Sequence, residues 1–407
     1  MTERIVIVGA GVTGATAART LRASGYHGEI VLVGAEEHAP YRRPMVSKDL
    51  LAGTRALERC LLESESYWAE HQIELRVGTT ATDIDTGRAR IWLSDGASLD
   101  YDRLLLATGA RARRLEQHQP VRVRTLRGVA DIAELRAAIA DGPLLIIGAG
   151  LVGLEVAATA RALGGEVHLV HAGTTPLDRV LPRELSTLVQ DLHAEHGVRI
   201  DNEVLLAGVE QIDTQGVLAT ATDGRTWAAS SALVAIGAEP DTALARTAGL
   251  DLGDGILVDE QYRTSAPRVF AAGDAAGRYT PRLGRHTRSE HWNSALAQGA
   301  AAAKSMLGLP VAETEVPWGW STQYGVNLQF AGWTHDYDEL VIRGSIESRD
   351  CTALALSGGA LVGAITVGRP KDLRAARELI ANRPLPASTA WADESVELGE
   401  LAVSVRR

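Results

Sequence analysis

The chain has 407 residues, 45% of them apolar and 23% charged, with a formal net charge of −10. At about 100–200 residues per domain this length predicts two or three globular domains, and it excludes a small stapled scaffold and a largely disordered chain. The acidic balance argues against bulk binding of nucleic acid, and only two cysteines, Cys60 and Cys351, occur, too few and too far apart for a cysteine-ligated metal or iron–sulfur site or a redox-active disulfide.

The first residues run straight into an apolar strand with no signal-peptide plan, and the longest apolar stretch, Pro143–Leu154, is broken by glycines and stops at Glu155. A cytoplasmic chain without a membrane span is therefore expected. Arg4–Gly14 reads RIVIVGAGVTG and Leu144–Gly153 reads LLIIGAGLVG, each a buried strand, a glycine turn and then an alanine-rich helix. The first helix is predicted over Ala15–Ser24, closed by Gly25, with the next strand at Glu29–Val33. The second is predicted over Leu154–Leu163, closed by Gly164-Gly165, with its next strand at Glu166–His171. Short strands follow in the same order in both halves: Glu74–Val77, Arg88–Leu93 and Arg103–Ala107, then Arg199–Asn202, Gly216–Thr220 and Ala232–Ile236, with Asp-Gly turns after the middle strand of each set. Extended runs at Gly255–Val258 and Arg268–Ala271 lead to a helix over His291–Met306. From Pro317 onward strand-like runs at Gln323–Phe330, Glu339–Gly344, Thr352–Ser357 and Ala360–Val367, then a helix at Lys371–Ala381, predict a smaller α+β domain. The fold class is α/β with two nucleotide-binding βαβ units and this C-terminal α+β domain.

Gly9, Gly11 and Gly14 form G-x-G-x-x-G between strand and helix, the context in which small residues let a pyrophosphate approach a helix N-terminus. An acid is wanted about 20 residues on to take a ribose diol, and Glu36 stands just past Glu29–Val33. Gly148, Gly150 and Gly153 repeat the motif, but His171 occupies the place of the ribose acid, and no arginine between it and Leu177 offers to hold a 2′-phosphate, so the choice between NADH and NADPH is open with NADH favoured. Two arginine stretches stand out, Arg111–Arg127 and Arg282–Arg288, each more consistent alone with a solvated face than with a docking site. His193 and His196, three apart on a helix, also read as a solvated face rather than a metal site.

Further motifs are Tyr41-Arg-Arg-Pro-Met-Val-Ser-Lys48, Ala107-Thr-Gly109, Ala271-Ala-Gly-Asp274, Glu290-His-Trp292 and Pro317-Trp-Gly-Trp320. With the two glycine motifs, and in this order, they make the chain resemble the FAD-dependent ferredoxin reductase family over nearly its whole length. The resemblance implies two Rossmann-like domains of glutathione-reductase-like architecture: residues 1–110 and 236–315 binding FAD, 111–235 binding NAD(P)H, and 316–407 as the C-terminal domain. It implies that Asp274 holds the flavin's ribityl chain, that Arg43 and Gly109 border the cofactor, and that Lys48 and Glu155 form an ion pair beside the reactive ring. Trp292 and Trp320, with Trp318, would wall that ring from water. The implied activity is electron transfer from NAD(P)H through FAD to a separate, acidic ferredoxin-type iron–sulfur protein serving a P450 or oxygenase, with no nucleic acid or membrane partner. Two residues depart from the family pattern, Gly319 where an aromatic is usual and Thr322 where an acid is usual. They raise a rival reading, a flavin oxidoreductase acting directly on a small molecule, and a third, a non-catalytic redox-responsive module, is disfavoured by Lys48 and Glu155.

Overall fold

A computed structural model describes residues 3–116, 120–212, 216–311, 316–334, 337–382 and 388–403. The chain divides into two compact units. One contains the chain up to Pro44, Arg55–Arg111 and the stretch from Ala238; the other contains Met45–Thr54, Ala112–Gly237 and the chain from Val316.

The first unit is built on a five-stranded parallel sheet in the order Val269–Ala271, Arg103–Leu106, Arg4–Val8, Glu29–Val33, Ile73–Arg76. Ile5, Val6 and Ile7 are fully buried, because a parallel sheet covered on both faces needs continuous rather than alternating apolar strands. Helix Val12–Ala23 follows the first strand, and its buried face runs through Ala15, Ala18 and Leu21. Small residues there let helix Trp292–Met306, itself alanine-rich, lie close to it.

The second unit holds another five-stranded parallel sheet, ordered Arg199–Asp201, Val167–Val170, Leu144–Ile147, Ser231–Val234, Val123–Arg124. Helix Leu151–Ala162 leaves its glycine turn, and helix Arg183–Glu195 precedes the edge strand. The same unit contains a five-stranded antiparallel sheet ordered Trp318–Gln323, Val326–Gly332, Ala360–Val367, Asp350–Ser357, Glu339–Ser345. Helix Pro370–Asn382 covers it with a stripe of Leu373, Ala376, Leu379 and Ile380, at helical spacing, against Leu354, Leu356, Leu361 and Ala364.

Three predicted elements need correction. Both glycine-turn helices begin three residues early, at Val12 and Leu151, because Gly14 and Gly153 sit inside the first turn rather than before it. The single strand predicted over Gln323–Phe330 is two strands of a tight hairpin, turned by Tyr324 at φ 51° and Gly325 at φ 81°. Two left-handed residues define the type I′ turn that suits a twisted hairpin; a tyrosine in the first of those positions gives no sequence signal for it. Among the described residues no helix is long and apolar enough to cross a membrane.

Candidate functional site

Each unit offers the same cradle. Gly9 has φ 111° and Gly148 φ 110°; a Cβ would lie 2.0 Å from the Ala107 carbonyl oxygen at Gly9 and 2.4 Å from that of Ala235 at Gly148. On Gly14 and Gly153 it would lie 2.0 and 2.1 Å from the carbonyl oxygens of Gly9 and Gly148, so the chain can enter the helix this tightly only without side chains. The middle glycines differ: a Cβ on Gly11 or Gly150 meets no protein atom within 4 Å. Each is the N-cap of its helix, with no side-chain cap and no acid in the first turn. The space a Cβ would fill thus lies over helix N-termini whose N–H groups and positive dipole end await an anion, and these residues fit a dinucleotide pyrophosphate.

In the first unit the strand beyond the turn leads to an acidic and a basic group held together. The Tyr41 hydroxyl donates to Glu36 Oε2 at 2.6 Å, and the Arg43 guanidinium donates to Glu36 Oε1 and, at 3.0 Å, to the Tyr41 oxygen. A carboxylate offers about four lone-pair sites, enough to serve these donors and a ribose hydroxyl as well. Burial pulls the Arg43 pKa down, but Tyr41, Glu36 and the Asp274 charge outweigh it and hold it above the ordinary value. Asp274 follows strand Val269–Ala271 in a short 3-10 turn. The Gly273 N–H donates to Gln298 Oε1 on helix Trp292–Met306 at 2.9 Å, and the turn lies close to the start of helix Val12–Ala23, where a Cβ on Gly273 would come within 2.2 Å of Thr13 Oγ1. His291 stands at the N-cap position of helix Trp292–Met306 without a capping side-chain bond, and burial lowers its pKa against the opposing pull of Asp274 and Glu290. Gly109, at φ 75°, accepts from the Asp241 N–H at 2.9 Å.

In the second unit Lys48 and Glu155 meet at 2.6 Å between Nζ and Oε1, with side chains only 16% and 7% exposed. The Glu155 carboxylate also accepts from Ser47 Oγ at 2.5 Å and from Ser321 Oγ at 2.6 Å. Thr159, one turn along the same helix, fixes the Ser47 carbonyl at 2.8 Å. A buried ion pair is costly unless its remaining oxygens are satisfied, and the two serines supply that. Neither serine had a sequence signal of its own, although Ser47 stands inside the motif that ends at Lys48.

Trp318 and Trp320 lie on one face of their strand, ring centroids 6.0 Å apart, with the Arg377 guanidinium 4.7 Å over Trp318. Gly319, Ser321 and Gln323 share the opposite, buried face, whereas Thr322 is exposed. Trp292 belongs to the first unit and Trp320 to the second.

His171 is engaged at both ring nitrogens. Nδ1 accepts from the Gly173 N–H at 3.1 Å, which leaves the proton on Nε2 to be donated to Asn202 Oδ1 at 2.8 Å. The side chain is buried, at 8% exposure. His193 is no solvated residue: it is fully buried, because the antiparallel sheet of the same unit covers helix Arg183–Glu195 and brings Gln323 Oε1 to 2.8 Å from its Nε2. Several arginines of these stretches are paired within the protein, Arg122 with Asp141 at 2.6 Å, Arg124 with Glu134 at 3.5 Å, and Arg288 with Asp254 and Glu290 at 2.8 and 2.6 Å.

Comparison with known proteins matches residues 3–299 to a pyridine nucleotide-disulphide oxidoreductase model and residues 318–402 to a reductase C-terminal model. The chain is 35% identical over 412 residues to putidaredoxin reductase of Pseudomonas putida, covering 99% of this chain and 98% of that one. It is 37% identical over 400 residues to the anthranilate 1,2-dioxygenase system ferredoxin–NAD(+) reductase component of Burkholderia cepacia, covering 97% and 98%. Among solved structures it is similar to the covalent putidaredoxin reductase–putidaredoxin complex, with TM-score 0.94, 35% identity and 99% of each chain covered. It is also similar to the ferredoxin reductase for the CYP199A2 system from Rhodopseudomonas palustris, with TM-score 0.93, 32% identity and 98% and 100% coverage.

Proposed function

The chain belongs to the pyridine nucleotide-disulphide oxidoreductase family, and from that premise we propose that it is an FAD-dependent NADH:ferredoxin reductase, passing electrons to a separate iron–sulfur protein that serves an oxygenase or P450. The observation that carries this reading is the duplicated cradle, one glycine turn in each unit. Two dinucleotide sites in one chain suit one retained dinucleotide and one that visits. Glu36, Arg43 and Asp274, gathered around the first turn, fit the retained FAD; relatives named ferredoxin–NAD(+) reductases support NADH at the second. When bound, FAD supplies the conversion from a two-electron donor to a one-electron acceptor.

The protein's own contribution is position and charge. The N-termini of helices Val12–Ala23 and Leu151–Ala162 take the pyrophosphates, Glu36 takes a ribose, and Asp274 takes the ribityl chain. Lys48, held by Glu155, orients the nicotinamide and balances negative charge as electrons arrive. We read residues 1–110 with 236–315 as the FAD domain, 111–235 as the NADH domain and 316–407 as the C-terminal domain, and place the protein in the cytoplasm. Support for separate second and third domains comes from their distinct cores, one around Leu145, Val170 and Val217 and one around Leu354, Leu361 and Trp391.

Anaerobic mixing of the yellow holoprotein with NADH tests the reading. Loss of oxidised-flavin absorbance, followed by its return on adding an oxidised [2Fe–2S] ferredoxin, is the expected result. No bleaching with NADH or NADPH would overturn it. Lys48→Ala is expected to keep its FAD yet bleach at least about tenfold more slowly, as expected when a charge that acts on the reacting groups is removed.

A further inference from the structure

The Lys48–Glu155 pair is the end of a longer chain of hydrogen bonds, all within the second unit. Ser321 Oγ donates to Glu155 Oε1 at 2.6 Å, Gln323 Nε2 donates to Ser321 Oγ at 3.1 Å, His193 Nε2 lies 2.8 Å from Gln323 Oε1, and the Tyr324 hydroxyl lies 3.3 Å from His193 Nδ1. The proton positions follow from chemistry. A carboxylate can only accept, so the single Ser321 proton points at Glu155. Ser321 must then accept, which fixes the Gln323 amide with its NH2 toward the serine and its oxygen toward His193. That oxygen needs a proton on Nε2, so Nδ1 is bare and Tyr324 donates to it. Every donor in the series points toward Glu155.

The chain is enclosed: His193 and Ser321 are fully buried, and Gln323 is 4% exposed. It ends at the hairpin turn, where the Tyr324 ring stacks on His196 with centroids 3.7 Å apart and planes 15° from parallel. A primary amide cannot pass a proton onward without becoming an imidic acid, so Gln323 makes this a device for orientation and polarisation rather than a proton wire. Aligned donors polarise one another, and the effect falls on the last acceptor.

We propose that Ser321, Gln323, His193 and Tyr324 are positioning residues for the ion pair, holding the Glu155 carboxylate in one orientation so that Lys48 is presented to the nicotinamide. This rests on the role assigned to Lys48 under the reductase reading. Ser321 acts on Glu155 directly; Gln323, His193 and Tyr324 act through Ser321. The hairpin turn, rather than the glycine turns, is then the place from which substitutions remote from both dinucleotides reach the chemistry.

The experiment uses FAD-loaded protein and two readouts. The first, without NADH, is the infrared carboxylate stretch of Glu155, identified by subtracting the spectrum of Glu155→Gln. Ser321→Ala is expected to shift this band, Gln323→Leu to shift it the same way by less, and Ser321→Thr, which keeps the hydroxyl, to restore it. The second is the rate of flavin bleaching by NADH, expected to fall about tenfold in Ser321→Ala, the scale of one hydrogen bond to a charged acceptor, and to return in Ser321→Thr. Gln323→Met, which keeps the length of the side chain but has no N–H for Ser321, is expected to copy Gln323→Leu should the latter fail to fold. A Glu155 band and a bleaching rate unmoved in the Gln323 variants that fold would overturn the proposal. Failure of the wild type to bleach would instead overturn the reductase reading, and the infrared result would still decide whether the chain orients Glu155.

Discussion

In the turn after strand Arg4–Val8 a Cβ on the third glycine would lie 2.0 Å from the carbonyl of the first; in the turn after Leu144–Ile147 the figure is 2.1 Å. The two regions diverge at the end of the next strand. Beyond Glu29–Val33 stands an acid that accepts from Tyr41 and Arg43 and has acceptor sites enough for a ribose. Beyond Val167–Val170 stands an imidazole whose nitrogens are both used inside the protein. The backbone of a dinucleotide turn is fixed by sterics that allow no substitute, whereas recognition of the nucleotide is carried by side chains at the strand ends, where chemistry can change without touching the turn.

Substituting the equivalent glycines separates the two regions most strongly. Gly14→Ala is expected to yield protein with less than about a tenth of the normal FAD, since a Cβ 2.0 Å from a backbone oxygen forces the helix start apart. Gly153→Ala is expected to keep its FAD and lose bleaching by NADH. The ratio of flavin absorbance to protein and an anaerobic NADH titration check both, and equal FAD loss in the two variants would break the comparison.

Acid acts on the second unit through His193, by a smaller effect. Burial pushes the His193 imidazole from 6.5 down to about 4, against the hydrogen bond it donates to Gln323 and with help from nearby His196. A histidine harder to protonate when folded leaves the unfolded chain binding the proton first, so stability is full above about pH 6.5 and is lost as pH falls toward 4. The loss amounts to about 3 kcal/mol. Urea unfolding of the second unit at pH 7 and pH 4.5 should show most of it, and His193→Gln should flatten the difference.

The smallest expected effect sharpens the comparison at the strand ends. His171→Glu restores an acid where the first region has one, and should raise the preference for NADH over NADPH by severalfold. An unchanged preference in steady-state kinetics would mean that the ribose is read elsewhere.

Much of this was legible in the sequence because it depends on local pattern. Continuous apolar strands, glycine spacing and alanine-rich helices announced both βαβ units, whereas the pairing of Lys48 with Glu155 was implied only by the resemblance to the ferredoxin reductase family. What escaped depends on packing between segments far apart in the chain. Gln323 reaches His193 across 130 residues of sequence, and Ser321 reaches Glu155 across 166; no periodicity on either segment shows which residue it will face. His193 read as solvated because no third metal ligand or catalytic acid stands with it and His196 in the sequence, and only the covering sheet makes its position interior. Tyr324 was hidden for the opposite reason, a local one: its left-handed turn conformation has no tyrosine signature.

Strand Val269–Ala271 completes the first parallel sheet by pairing with Arg103–Leu106. During synthesis the N-terminal glycine turn and its sheet therefore emerge long before their last strand exists. Until residue 269 leaves the ribosome, Arg103–Leu106 is an apolar edge with its ladder unpaired, the kind of surface that recruits other chains. Long-range closure of this sort is also slow. In the nascent chain, then, Arg103–Leu106 is the strand that stays open to pairing until its own partner strand arrives.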